Sequence, residues 1–309
     1  MRYIKDEMDW TGIKAVVLED VPMKRYTSMR VGGPVRYMVY PVDDIELSHI
    51  VERLVDYGIG YRFLGNGTNI IVNDCGIKEA VIRITRFKTL GFKNSIKDSE
   101  NTSTVTVSGG VSLKGFIKDC AKRGLSGLER LYWIPGSVGG AIKMNAGSFG
   151  ATISDCLEGI YLYNQDTGFL SLAKKDILFG YRQSSVGRTD CVVSARFKLQ
   201  KRDKKLISDD MDYVYRERRL RHPMEFPSSG SIFKSVGGEP AWRFIEKAGL
   251  KGLRIGGACV SEKHANFIVN IGGATAGDIK RLIDKVKQEV LERLGVILEE
   301  EVELWGFDN

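Results

Sequence analysis

Residues 132–150 read YWIPGSVGGAIKMNAGSFG, with Gly136, Gly139, Gly140, Gly147 and Gly150 crowded between two short apolar segments. Glycine loses more entropy on folding than any other residue. A cluster like this therefore persists where backbone turns sharply or approaches something that leaves no room for a side chain. Pro135 fixes one φ angle, Ser137 and Ser148 add hydroxyls, and successive free N–H groups here can form a concave nest suited to phosphate oxygens. The stretch is either such a phosphate cradle or an ordinary glycine-rich double turn.

A second loop favours the cradle. Residues 64–69, LGNGTN, lie between the apolar, strand-like runs 61–64 and 70–72, so they form a tight strand-loop-strand turn. Neither loop is a G-x-G-x-x-G dinucleotide fingerprint: Gly65 and Gly67 are followed by Ile70 where the third glycine belongs, and no helix pattern opens there. This argues against a Rossmann domain.

Along the chain, residues 1–29 read as irregular with a helical leaning, and 35–40 as a strand ended by Pro41. Leu47, Ile50, Val51 and Leu54 keep a 3.6-residue period, Asp43 or Asp44 can cap their helix and Gly58 can end it, giving a β-α-β unit with the strand at 61–64. Residues 80–84 read as a strand, 93–103 as a polar hairpin region, 104–107 as a strand and 112–123 as a helix. Residues 158–164, 168–172 and 190–200 are rich in β-branched and aromatic residues at strand lengths, so this half is α+β with much antiparallel sheet.

The composition shifts at Lys201, where KRDKK begins a helix running to Arg221, and the domain boundary is placed there. The arginines near its end suit either a solvated helix face near the negative dipole end or substrate contact. A helix is expected at 240–248. Residues 275–295 form the clearest helix, with one apolar stripe, a Thr275/Asp278 capping box and Gly295 as its stop. A last strand is expected over 296–305.

The 309 residues are 43% hydrophobic and 28% charged with a net charge of +7, an ordinary globular composition suited to polyanionic partners. These partners are nucleic acid or, equally, nucleotide cofactors and substrates. No apolar leader and no run of membrane-span length is present, which points to the cytoplasm. Five widely spaced cysteines point to reduced, mostly buried thiols, and three scattered histidines to no metal site.

Three stretches have the residue types for chemistry. In 228–234, SSGSIFK, a glycine lets the chain bend beside Ser231, and Lys234 is a nearby cation, although alternation in an extended chain puts it on the other side. In 179–184, FGYRQS, Arg182 can fork onto a carboxylate. In the acidic run 299–303, the alternation of Val302 and Leu304 puts Glu301 and Glu303 on one face, and the pattern does not choose between them. A turn serine, a surface ion pair and a solubilising strand end are the plain alternatives.

Taken together, RVGG at 30–33, LGNGTN and IPGSVGGAIKMNAGSFG resemble the FAD-binding domain of the UDP-N-acetylenolpyruvoylglucosamine reductases. RHPMEFPSSGSIFK, AGLKGLRIGGACVSEKHANFIVN and GVILEEEVELWG resemble their substrate-binding domain. The resemblance runs from about Thr27 to Gly306, and the short second domain is similar to the type II branch. It implies an α+β fold with an FAD-binding domain of the vanillyl-alcohol-oxidase/PCMH type over 1–200, in subdomains of about 1–85 and 86–200, and a C-terminal α+β substrate-binding domain over 201–309. It also implies that Arg30, Gly65, Asn66, Gly67, Thr68, Asn69, Pro135, Gly136, Ser137, Gly139, Gly140, Asn145 and Gly147 hold FAD.

By the same resemblance Ser231 is the proton donor, and Arg182 and Glu301 are catalytic. The implied reaction moves hydride from NADPH through FAD to the enolpyruvyl ether of UDP-N-acetylglucosamine, giving UDP-N-acetylmuramate for peptidoglycan. A monomer acting on a nucleotide sugar, without nucleic acid or membrane, is expected. Asn66 stands where the family usually has glycine, and Trp242-Arg243 where small residues are commoner. A flavin oxidase on the same fold and a non-catalytic nucleotide-binding protein are the other readings. Covalent flavin attachment, common in oxidases, uses histidine or cysteine, and no histidine lies near either glycine loop.

Overall fold

The structure, a computed structural model, describes residues 8–87 and 96–307. Contacts gather the chain into two compact units. The first comprises the chain to Asp20, Val35–Gly65 and Lys78–Met211, and the second Val21–Pro34, Asn66–Ile77 and Asp212–Asn309. The contact-based break thus falls at 211/212, within a helix, where the sequence places a domain boundary at 200/201.

In the first unit a four-stranded sheet has the order Val16–Pro22, Pro34–Tyr40, Ile77–Ile82, Tyr61–Phe63. Its helix α1, Asp44–Asp56, buries Leu47, Ile50, Val51 and Leu54 completely, and the Asp43 carboxylate accepts the Glu46 N–H. The 3.6-residue period and the cap are therefore what the sequence shows. The β-α-β unit differs in one respect: Ile77–Ile82 lies between the two strands, parallel to Tyr61–Phe63. Residues 16–22 form an edge strand where irregular or helical chain was expected. Its exposed Leu18, Glu19 and Asp20 leave it without the alternation that marks a half-buried strand. Residues 1–7 of that expectation lie outside the described residues.

The rest of this unit is an antiparallel sheet in the order Gly168–Ala173, Leu157–Asn164, Cys191–Lys201, Thr102–Ser108, Ile96–Asp98. The last two strands realise the polar hairpin region, whose residues 93–95 are outside the described ones. Helices α2, Leu113–Lys122, and α3, Val138–Lys143, pack on this sheet through one core that includes Phe116 and Phe197, ring centroids 5.3 Å apart.

Helix α4 spans Lys204–Arg221. The second unit then has the antiparallel sheet Ser228–Ser231, Phe267–Asn270, Ala258–Val260, Arg254–Ile255, with α5, Ala241–Lys247, and α6, Ala276–Leu294. Ile279, Leu282, Ile283, Val286 and Val290 of α6 are buried, the Thr275/Asp278 capping box is formed, and Gly295 ends the helix at φ +68°. Asp74 adds a second cap, its two carboxylate oxygens accepting the N–H groups of Ala276 and Gly277.

The long terminal strand is not formed; only Glu303–Trp305 is regular, pairing in parallel with Ile70–Val72. Before that the chain changes partners: Lys234 N–H donates to Glu299 O and Glu301 N–H to Ile232 O, whereas Glu303 N–H donates to Asn69 O. Of the cysteines, Cys120, Cys191 and Cys259 are buried and Cys75 is exposed, all as free thiols.

Asp74 gives α6 two acceptors where its dipole is positive, so Asp74→Ala should lower stability by about 1 kcal/mol. Urea unfolding followed by tryptophan fluorescence should show an earlier transition. An unshifted midpoint would mean that the Thr275/Asp278 box caps the helix alone.

Candidate functional site

The glycine-rich stretch enters α3 through Gly136, at φ +145°, and Ser137, whose hydroxyl accepts the Gly140 N–H at 3.2 Å. Val138 N–H donates to Val111 O at 2.9 Å and Gly139 N–H to Gly109 O at 2.8 Å. The first N–H groups of α3 thus already have protein partners, which corrects the expectation of a free nest over these positions. A Cβ on Gly109 would stand 1.8 Å from Val192 O, and one on Gly139 would stand 3.2 Å from Gly109 O and 3.3 Å from Val192 O. These two glycines let the helix lie against the strand behind it. Gly140 differs, because its Cβ would meet only Ser137 Oγ. A cleft open to solvent runs past Gly65, Gly110, Ser137, Gly140, Lys143 and Asp190, with about 490 Å³ of space including its mouth.

In the loop 64–69 three carbonyls have protein donors, and the Leu64 N–H donates to Ile82 O. Gly65 O accepts from Arg83 Nη2, Gly67 O from Ser28 N–H and Asn69 O from Glu303 N–H. Among the described residues no protein acceptor takes the N–H groups of Gly65, Asn66 or Gly67. Gly67, at φ +61°, has Tyr26 O 1.9 Å from where its Cβ would be, so only glycine fits this turn. Thr68 and Asn69 are half-buried, and the Asn69 amide donates to Glu301 O at 3.0 Å. In RVGG, Arg30 is exposed at φ +59°, and Gly33 packs on the backbone of Asp74.

Arg182 sits with Tyr181 at the turn between the paired segments Phe179–Gly180 and Gln183–Ser184, at φ +56°. Its Nε is buried and its guanidinium carbon lies 5.2 Å from the Tyr181 ring centre. Asn145, 7% exposed and at φ +40°, donates its amide to Gly180 O at 2.9 Å. Its own side-chain oxygen is buried without a protein partner among the described residues.

In the second unit the strand Ser228–Ser231 carries a bulge at Gly230, φ +76°, that turns the half-buried Ser231. Glu301 N–H donates to Ile232 O at 2.7 Å, so the chain carrying Glu301 runs beside the one carrying Ser231. The neighbouring acids have structural partners: Glu299 is 3.5 Å from Lys234 Nζ, Glu300 is 2.8 Å from Lys287 Nζ, and Glu303 accepts the Trp305 indole N–H. Lys234 is thereby turned to Glu299.

His222 and His264, read as scattered, meet with ring centroids 5.3 Å apart and share contact with Phe267. Burial first, and then the positive charge of Arg218, push His222 down to about 4, and burial lowers His264. Both imidazoles are neutral at pH 7. The only trace of this pair in the sequence is that each histidine lies in a stretch resembling the substrate-binding domain.

A family profile described as UDP-N-acetylenolpyruvoylglucosamine reductase, C-terminal domain, matches residues 222–305, and one described as FAD binding domain matches residues 35–171. The chain is 38% identical over 307 residues to the UDP-N-acetylenolpyruvoylglucosamine reductase of Syntrophus aciditrophicus, covering 99% of this chain and 97% of that one. The chain belongs to the UDP-N-acetylenolpyruvoylglucosamine reductase family.

The reductase of Carboxydothermus hydrogenoformans is 39% identical over 296 residues, covering 95% of each chain. The crystal structure of the Thermus caldophilus reductase matches with a TM-score of 0.80 at 37% identity, covering 94% of this chain and 99% of that one. The α+β class, with an FAD-binding part and a C-terminal part, agrees with these family members. The residues present fit an FAD: free backbone donors at 65–67 suit pyrophosphate oxygens, and the buried Asn145 oxygen is an acceptor awaiting a donor.

His222 is a base whose pKa falls on folding, so between pH 6.5 and about 4 the unfolded chain binds more protons than the folded one. Its contribution to stability is complete above pH 6.5 and is lost as the pH drops toward 4. Urea midpoints of the parent should decline across this window, and His222→Gln should flatten the decline. The same slope in both proteins would show that His222 is not held neutral.

Proposed function

We propose that this chain carries out, on bound FAD, the NADPH-dependent reduction of the enolpyruvyl ether of UDP-N-acetylglucosamine to UDP-N-acetylmuramate, a step of peptidoglycan precursor synthesis. Similarity to the named reductases over 99% of the chain carries the reading. When bound, FAD supplies a two-electron carrier between NADPH and the enolpyruvyl double bond.

The N–H groups of Gly65, Asn66 and Gly67 hold the pyrophosphate of the cofactor, supported by their freedom from protein acceptors. Ser137 and Gly140 shape the cleft wall; Thr68 and Asn69 in the loop 64–69, Pro135 and Gly136 in the glycine-rich stretch, and Arg30 are assigned to FAD by the family resemblance. Gly139 serves the cofactor through its backbone packing, since its Cβ position faces Val192 and Gly109.

The substrate gains hydride at C3 and a proton at C2 of the enolpyruvyl group. Ser231 donates that proton, and the bulge at Gly230 sets the direction of its hydroxyl. Arg182 forks onto the substrate carboxylate and offsets charge that develops at C2. Glu301 is the third catalytic residue, a role that rests on the resemblance of GVILEEEVELWG to the family, and its backbone N–H, donating to Ile232 O, keeps its chain beside the one carrying Ser231. The reading makes the protein a cytoplasmic monomer acting on small molecules without nucleic acid. Among the described residues no helix is long and apolar enough to cross a membrane.

Purified protein should be yellow, bleach with NADPH, and recover its colour rapidly with UDP-N-acetylglucosamine enolpyruvate and slowly with oxygen. Colour recovery with oxygen alone at the substrate rate would make it an oxidase. Ser231→Ala should keep FAD binding and bleaching while slowing recovery with substrate by roughly 10² to 10⁴. Stopped-flow mixing of each half-reaction separately decides this: recovery within tenfold of the parent would place the proton donor elsewhere.

A further inference from the structure

We propose that Gly147 and Asn145 are positioning residues for Arg182: the chain leaving α3 is the seat of the guanidinium, and the absent side chain at 147 and the amide at 145 fix where the arginine points. This rests on the reading of Arg182 as acting on the substrate carboxylate.

Three ties join the segment 143–147 to the turn that carries Arg182. The Ser184 hydroxyl donates to Lys143 O at 2.8 Å, and the Asn145 amide donates to Gly180 O at 2.9 Å. The third is steric, since Arg182 Nη1 lies 3.0 Å from where a Cβ of Gly147 would stand. The first two hold the backbone of the turn, and the third places the far end of the side chain in the space that a side chain at 147 would fill. An arginine has several rotatable bonds and a surface turn would leave it mobile; here its Nε is buried and its Nη1 lies beside Gly147.

Gly147 is not required by its backbone, because it is absent from the left-handed glycines. Its hairpin partners are next nearest to the missing Cβ, Ala151 O and Thr152 Cγ2 at 3.2 Å. The atom nearest to the missing Cβ is thus the tip of a flexible side chain. An alanine requires the guanidinium to give way most, and Ala151 O and Thr152 Cγ2 on the paired strand to give by a few tenths of an ångström as well. This assigns the glycine to the arginine, where the resemblance assigned it to the flavin. Asn145 acts from the other side: it accepts a left-handed φ of +40°, and a carboxylate in its place would present an oxygen to Gly180 O.

The test uses the FAD-loaded protein and two variants, Gly147→Ala and Asn145→Asp. Misplacing a substrate-orienting group by a fraction of an ångström to one ångström costs up to the order of 10²-fold, so each variant should slow recovery with the enolpyruvyl substrate roughly 10- to 100-fold per bound FAD, and bleaching by NADPH much less. In an Arg182→Ala background, Gly147→Ala should add no further slowing, because the group it positions is gone. Additive effects in that cycle, equal slowing of both half-reactions, or loss of FAD from Gly147→Ala would overturn the assignment.

A readout independent of turnover separates this inference from the reading beneath it. The Arg182 Nε–H resonance, identified by its loss in Arg182→Lys, should be protected from exchange in the parent and exposed in both variants. Unchanged protection would refute the positioning role whatever Arg182 does. Normal recovery in Arg182→Ala would refute the role of Arg182 in turnover, while the exchange result still decides what seats it.

Discussion

The first unit is built around one close approach, that of the helix at 138–143 to the backbone of Val192. Gly109 N–H donates to Val193 O and Gly139 N–H to Gly109 O, so three chain segments are stacked by hydrogen bonds with no side chain between them. Any Cβ at 109 would overlap Val192 O. Because the helix lies so near the sheet, Ser137 comes against Gly65 and forms one wall of the cleft, and the chain leaving the helix reaches the turn at Gly180. A glycine cluster can serve a ligand or the protein's own backbone, and here it is divided between the two. The first amides of the helix are committed to protein acceptors, whereas among the described residues those of Gly65, Asn66 and Gly67 meet none.

That division explains what was legible in the sequence and what was not. Helical period and capping chemistry are local, so the helices at 44–56, 113–122 and 276–294 agree with their patterns to within a residue or two. Partner choice is not local. The second unit gathers 21–34 and 66–77 with the C-terminal residues, and Ile70 pairs with Glu303 across most of the chain. No composition shift marks such an exchange. The run 296–305 has the residue types of a strand, but it changes partners midway, from 232–234 to residue 69, and hydropathy alternation cannot register a change of partner.

The surroundings of the candidate site residues were legible in parts for the same reason. Glycines, Ser231 and Arg182 stand out by type and setting, whereas the surroundings of the four nearby acids are tertiary: Lys234, Lys287 and Trp305 engage Glu299, Glu300 and Glu303 in turn. The pairing of His222 with His264 was invisible, because one ends a helix and the other opens a turn before a strand, and only the tertiary fold stacks both on Phe267.

Backbone strain gives an independent view of the same residues. Among the described residues, the non-glycine positions with positive φ are Asp20, Arg30, Trp133, Asn145, Phe149 and Arg182, and all but Asp20 lie in the stretches singled out by their sequence. A left-handed residue with a Cβ costs roughly 1–2 kcal/mol, and glycine would remove that cost. The chain has glycine in abundance close by, so its absence at these positions has a reason in the side chain or in the carbonyl direction. At Asn145 and Arg182 it is the side chain, which reaches Gly180 O in one case and the space beside Gly147 in the other. At Phe149 the carbonyl is what is used, accepting from Arg130 Nη1 at 2.7 Å. A core needs none of these conformations to exclude water. Their concentration in the glycine-rich and arginine-bearing loops therefore reports that direction, and not packing, is the property these segments hold against the tendency of the backbone to relax.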